Sequence, residues 1–321
     1  MNNRLITNQF DVGGLNRRQF LKASAAATTS VVLPHLDAGA EPALKDDHER
    51  DKATYTAKEI ASVFEMIAPL SSGVPYDELG FVYGDPETSV RGIACVWQVD
   101  SRSIVNAAEQ CLNMIICHEM LWLPAQNSPW YDGPAQENIL PNKIRRELLN
   151  KHKMVVYRSH SNWDALPEDG QPDQAVKALE ISELKVIAKQ KFFKVHRLPE
   201  QMTVSELKGY VEKGLGYRPC RVFGDNKKQI MQFAFLIGGF GENQYHLPQV
   251  AMELGAEAII IGEMSEFIVI AALEMGLPVI ESLHSVSEIP AIRRQAQILS
   301  EKFSALPVKY VPSGALPFCT K

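Results

Sequence analysis

Cysteine is scarce in this chain of 321 residues, with only five along its length. They stand at Cys95, Cys111, Cys117, Cys220 and Cys319, an odd set too scattered for a disulfide framework. No two of them form a C-x-x-C pair, so a sulfur-based metal knuckle is excluded. They read instead as small hydrophobes for a core. Positive charge is not in excess either: 33 basic residues face 38 acidic ones, for a net charge of −5. Nucleic acid is therefore not an expected partner, because phosphate binding needs clustered positive charge. No apolar run reaches the length of an ordinary membrane span, so no stable span is expected. No G-x-G-x-x-G turn is followed by an acidic residue after the next strand, which makes a nicotinamide dehydrogenase a poor reading. No exact internal repeat occurs. What the chain does have is apolar content, 45% of its residues, enough for a large core and one or two domains of ordinary size.

The first forty residues read as an address. Asn16-Arg17-Arg18-Gln19-Phe20-Leu21-Lys22 resembles the twin-arginine export motif, with Asn16 in place of the usual small hydroxyl residue. An Ala-rich stretch over residues 23–33 suits a signal core, and Ala38-Gly39-Ala40 supplies an A-x-A cleavage site. A twin-arginine (Tat) signal peptide is expected over 1–40, with export to the periplasm or another extracytoplasmic space. A metal site could then be loaded before export and carried out in the folded protein. Residues 41–55 are charged and poor in apolar groups, and read as a flexible linker.

Beyond the linker, short apolar runs alternate with helical patterns. Thr56-Ala57-Lys58-Glu59 is a capping box that opens a helix, and Thr203 with Glu206 is a second. Strands are expected near 93–97, 114–117, 154–157, 233–237, 258–261 and 278–281, with an edge strand at 308–311. Helices are expected over 103–112, 143–150, 203–213, 243–254, 267–275 and 287–303. Alternation of this kind predicts an α/β fold of two halves, 56–190 and 191–321, with mainly parallel sheets covered on both faces.

In open α/β sheets, ligands bind beyond the carboxyl ends of the strands. Three expected strands end in a histidine and a carboxylate: His118 with Glu119, His160 with Asp164, and His284 with Glu288. Imidazole with carboxylate suits zinc, iron, manganese or nickel. If His284 lies on a helical turn, Glu288 at i+4 shares its face. A single histidine at a strand end is ordinarily a hydrogen-bonded loop residue, and Glu288 alone would be an ordinary first-turn helix charge. Three such pairs at equivalent topological positions weaken that bland reading. Gly238-Gly239-Phe240-Gly241 reads as a loop between a strand and a helix, either a tight turn or an anion-facing backbone. Trp122, Trp130 and Trp163 stand near the expected site, as stacking surfaces or as simple packing. The loop 123–141, with its Pro and aromatic content, is expected to cover the site in part.

Six segments together resemble the NIF-three-like family, also known as GTP cyclohydrolase I type 2 homologues. They are Tyr76 to Asp85, Met114 to Glu119, His160 to Asp164, Gly238 to Gly241, Ala258 to Glu263 and Leu283 to Glu288, in family order across about 60–305. The resemblance implies a NIF-three-like fold, a hexameric ring and a dinuclear centre of two divalent metal ions such as Zn, Fe or Mn. It implies His118, Glu119, Asp164, His284 and Glu288 as ligands, with Glu288 shared, and His160 as a supporting or acid–base residue. Glu119 stands where the family pattern has a second histidine, Leu283 where it has glycine, and Phe267 where it often has histidine. The activity implied is hydrolysis of a small molecule of unknown identity. The alternative is a non-catalytic metal-binding or interaction scaffold.

Overall fold

The computed structural model describes residues 54–124, 133–241 and 244–315. The signal peptide, nearly all of the linker, part of the loop 123–141 with Trp130, and Cys319 lie outside the described residues.

Both capping boxes form as the sequence predicts. Strand β1 (Tyr55–Thr56) runs into helix α1 (Ala57–Ile67). There the Thr56 hydroxyl accepts from the Glu59 amide while the Glu59 carboxylate accepts from the Thr56 amide. Next come β2 (Gly80–Tyr83), β3 (Ser89–Val90), β4 (Ile93–Val96) and α2 (Ser101–Glu109). They are followed by β5 (Met114–Cys117), α3 (Leu140–His152), β6 (Val155–Arg158), the one-turn α4 (Ser161–Asp164) and α5 (Gln171–Ala178). The second part of the chain forms β7 (Lys185–Lys189), β8 (Phe193–Thr203), α6 (Val204–Leu215), β9 (Arg221–Phe223) and β10 (Gln229–Phe240). It continues through α7 (Leu247–Glu253), β11 (Ile259–Met264), α8 (Glu266–Glu274), β12 (Val279–Glu281), α9 (His284–Lys302) and β13 (Val308–Tyr310).

Two sheets carry the fold. The five-stranded sheet has the order β13-β4-β5-β6-β2, parallel except for its β6–β2 edge. Its central strands read as unbroken apolar runs because both faces are covered. Cys95, Ile116 and Tyr157 face α1 with Ile60 and Phe64, while Ala94, Ile115 and Val156 face Ile104 and Leu149. Fully buried side chains such as Phe64, Tyr157 and Trp163 are each worth about 1.5–3 kcal/mol in burial alone. The six-stranded sheet has the order β7-β8-β10-β11-β12-β9. Helix α9 packs against strands of both sheets.

The expectation of mainly parallel sheets holds for the first sheet. The second is mixed: β10, β11 and β12 are parallel, but β7–β8, β8–β10 and β12–β9 pair antiparallel. For β7 and β8 the cause is local, since three residues join them and so short a link returns the chain only antiparallel. Strands β7, β8 and β9 and helix α5 have no counterpart in the sequence reading: β7 and β9 bury no residue, and β8 and α5 mix buried and exposed positions.

Two other readings change. Gly238-Gly239-Phe240 is not a loop but the end of β10, which runs further than its apolar core suggests. Helix α9 begins at His284 rather than at residue 287, which places His284 and Glu288 on one face. Of the cysteines, Cys95, Cys117 and Cys220 are buried and Cys111 is exposed.

Candidate metal centre

Strand ends and helix starts converge at one place. His118 and Glu119 directly follow β5. Their amides donate to the Trp97 carbonyl at 3.1 and 2.7 Å, which ties them to the end of β4. His160 caps the short helix α4, whose last residue is Asp164. His284 and Glu288 sit on the first turns of α9.

The distances define two groups that share one carboxylate. His118 Nε2 lies 3.5 Å from Asp164 Oδ1 and 3.5 Å from Glu288 Oε2. His284 Nε2 lies 3.2 Å from Glu119 Oε1 and 3.5 Å from Glu288 Oε2. Potential ligand atoms of Glu119, His284 and Glu288 all fall within 4.8 Å of one another, as do those of His118, Glu119 and His160. His118, Glu119, Asp164 and Glu288 are buried. All six residues singled out in the sequence are thus brought together.

Each of the three imidazoles is anchored through Nδ1 and turns Nε2 inward. His118 Nδ1 is 3.2 Å from the Ser159 carbonyl, His284 Nδ1 is 2.9 Å from Glu263 Oε1, and His160 Nδ1 is 2.9 Å from Asp77 Oδ2. A carbonyl or carboxylate oxygen can only accept, so each Nδ1 carries the proton and each Nε2 is left for a ligand. Imidazoles held this way are the common arrangement around a metal.

Electrostatics point the same way. Burial works to depress both His118 and His284, but the carboxylates outweigh it. Asp164 and Glu288 lift His118 to about 9, and Glu288, Glu119 and Glu263 lift His284 to about 12. Burial pushes the Asp164 carboxyl up to about 6 against the pull of His118 and His160. Burial opposes ionisation of Glu119 and Glu288 too, yet the facing imidazoles hold both below the usual carboxylate range. So many buried carboxylates need positive charge between them.

A cation fits the residues present. Asp164 Oδ1 is buried and has no hydrogen-bond donor. Gly238 has φ +69, and a Cβ there would sit 2.5 Å from Glu288 Oε1 and 3.1 Å from His284 Nε2. On Gly239 it would meet His284 Nδ1 at 2.7 Å. The two glycines let β10 pass close behind the ligands, which a side chain would block. Their amides do not form an open anion nest, because the Gly238 N–H donates to Ser287 Oγ at 3.0 Å. Leu283 is extended, with φ −168, so a side chain in place of glycine causes no strain.

Several supporting residues escaped the sequence reading. Trp97 Nε1 donates to Glu288 Oε2 at 2.6 Å, and nothing in its spacing signals that role. Asp77 and Glu263 lie inside segments that carried the family resemblance, without a role assigned to either. Gln171 Nε2 lies 3.5 Å from His118 Nε2. Trp163 instead stacks on Phe64, and Trp122 packs on Tyr83 and beneath Arg146, so neither offers a face to the site.

With this geometry in hand, comparison with known proteins is informative. Residues 55–314 match the Duf34/NIF3 (NGG1p interacting factor 3) family, and residues 14–34 match the twin-arginine translocation pathway signal sequence. A Clostridium acetobutylicum protein named GTP cyclohydrolase 1 type 2 homolog is 28% identical over 242 residues, covering 73% of this chain and 86% of the relative. A Clostridium perfringens protein of the same name is 26% identical over 253 residues, covering 77% and 92%. The crystal structure of a Bacillus cereus protein related to NIF3 superposes with a TM-score of 0.68 at 17% identity, covering 84% of this chain and 99% of that one. At that identity the likeness establishes the fold.

Proposed function

The chain belongs to the Duf34/NIF3 family, and from that premise we propose that it is a metal-dependent hydrolase of a small molecule, acting in the periplasm after twin-arginine export. One observation carries this reading: three imidazoles, each fixed at Nδ1, turn Nε2 toward a buried cluster of carboxylates. His118, Asp164 and Glu288 would hold one divalent ion, and Glu119, His284 and Glu288 the other, with Glu288 shared. Bound there, zinc, iron or manganese would supply Lewis acidity and make water nucleophilic near neutral pH.

The remaining chemistry belongs to the chain. His160 Nε2 lies 4.0 Å from Glu119 Oε1 and is not committed to a ligand pair, so it is placed to take or give a proton at that atom. Asp77 fixes its ring, and Trp97 fixes Glu288. The test is elemental analysis of the mature protein, then turnover of an ester, amide and phosphoester panel with and without chelator. Metal-dependent turnover of any class bears the reading out. Bound metal with no turnover favours the non-catalytic scaffold.

Glu119 should bias the metal. Three carboxylates bring about −3 of ligand charge, and a hard oxygen replaces an imidazole nitrogen at the second position. Glu119→His is expected to raise zinc relative to iron and manganese. Metal content per chain in the two proteins decides it, and identical content would count against the idea.

A homo-oligomer, hexameric by family resemblance, belongs to the same proposal. Helix α8 exposes Phe267 at 63%, Ile270 at 48% and Leu273 at 37%, an apolar face that a second copy would cover. Light scattering on the mature protein is expected to give a multiple of the chain mass; a monomer at micromolar concentration would sink this part.

A further inference from the structure

The metal centre opens into a cavity of about 460 Å³ that is not uniform from end to end. Its inner end is formed by His160, Asp164 and Glu288. Its walls are apolar: Phe192 from the turn before β8, Phe193 from its first position, Ile237 and Phe240 from β10, and Leu247 and Val250 from α7. Its outer rim is polar, with the exposed Gln190, Lys191 and His246 and the half-buried Gln244. All the carboxylates among its described lining residues lie at the inner end, and Lys191 is the lysine or arginine among them. Lys191 Nζ makes a long contact of 3.4 Å to the Gly73 carbonyl and lies 5.3 Å from the centre of the Phe192 ring, and it forms no ion pair among the described residues. Its charge is therefore available at the rim.

A second cavity, on the side of His284 facing Trp97, is about 320 Å³ and is lined by Gln98, Asp100, Arg102 and Glu263 among others. Arg102 there is already committed to Asp100 and the Gly314 carbonyl. Of these two cavities, the first pairs an apolar wall with a cation that forms no ion pair among the described residues.

We propose that the first cavity binds aryl compounds with an anionic group at one end and a hydrolysable bond at the other. The ring would lie between Phe240 and Leu247, the anion at Lys191, and the scissile ester or amide beside His160. The size fits one or two rings. A nucleoside triphosphate suits it less well, because away from the metal centre the described lining offers its chain of phosphates one lysine and no arginine. The scissile-bond part rests on the hydrolase reading; the ligand class rests on the cavity. For an aryl ester, water adds its oxygen to the acyl carbon and the bond from that carbon to the aryl oxygen breaks. The aryl oxygen leaves as the phenol with one proton from the water, and the acid keeps the water's oxygen and its other proton.

Two measurements on the metal-loaded mature protein test this. The first is fluorescence titration with 8-anilinonaphthalene-1-sulfonate, which has both the rings and the anion. Lys191→Glu and Phe240→Ala are each expected to weaken its binding about tenfold, the worth of one charged contact or one lost ring face. The second is the ratio of kcat/KM for 4-acetoxybenzoate over phenyl acetate, expected to fall about tenfold in Lys191→Glu. Weakened binding in the variants with no ester cleaved by any form would leave the ligand class standing and remove the hydrolase. Ester cleavage with unchanged probe binding and an unchanged ratio would do the reverse. Displacement of the probe by GTP in preference to 4-acetoxybenzoate would also overturn the ligand class.

Discussion

Glu288→Gln is expected to empty the metal centre while leaving the fold intact. Glu288 is the one carboxylate within 3.5 Å of both His118 Nε2 and His284 Nε2, so its charge serves both groups. Glutamine keeps the shape, and its amide oxygen still accepts from Trp97 Nε1, which now lies 2.6 Å from Glu288 Oε2. Only the charge is lost. Loss of a supporting residue around a metal costs about 10–100-fold in affinity, and loss of a shared ligand should exceed the upper figure. The measurement is metal per chain by elemental analysis, with circular dichroism to check the fold. Unchanged metal content in Glu288→Gln would show that the proposed centre is not organised around this residue.

Asp77→Ala is expected to give the largest loss of stability of any single change near the site. Asp77 accepts from Arg158 Nη1 at 2.5 Å, Ser161 Oγ at 2.5 Å and His160 Nδ1 at 2.9 Å. Arg158 is 4% exposed, so removing its carboxylate strands a buried guanidinium. Breaking such a pair costs about 3–5 kcal/mol. The midpoint of thermal unfolding should fall on the order of 10 °C. The sign with pH follows from the carboxyl. Burial would raise Asp77, but hydrogen bonds from His160 and Ser161 and the charges of His160 and Arg158 hold it far below the usual range. A depressed carboxyl contributes stability above its unfolded value, about 3.9, and loses it as pH falls further. The gap between wild type and Asp77→Ala should therefore be full at neutral pH and narrow in acid. A gap that widens in acid would contradict this account.

Part of this protein was legible before any coordinates. The capping boxes at Thr56 and Thr203 are local, because both partners lie within one helical turn. The central strands at 114–117 and 155–158 announce themselves as apolar runs because they are buried on both faces. The histidine–carboxylate pairs stood out because polar residues directly after such runs lie at the carboxyl edge of a sheet. Strands β7 and β8 were not legible. The residues of β7 are largely exposed and those of β8 mix buried and exposed without a clean period, and their pairing is settled by the turn that joins them. The glycines of β10 were read as a loop because glycine signals a turn more often than a close approach.

By itself, then, the sequence determined the α/β alternation, the two helix starts with capping boxes at Thr56 and Thr203, and the identity of six polar residues at three strand ends. Those depend on short-range pattern and on burial. Tertiary structure alone decided that Trp97, Asp77 and Glu263 hold the imidazoles and carboxylates in place. Trp97 and Glu288 are separated by 191 positions in the chain, and His160 and Asp77 by 83. Trp97 meets Glu288 through the packing of α9 on β4, and Asp77 meets His160 through the pairing of β2 with β6, and no periodicity in the chain encodes either contact.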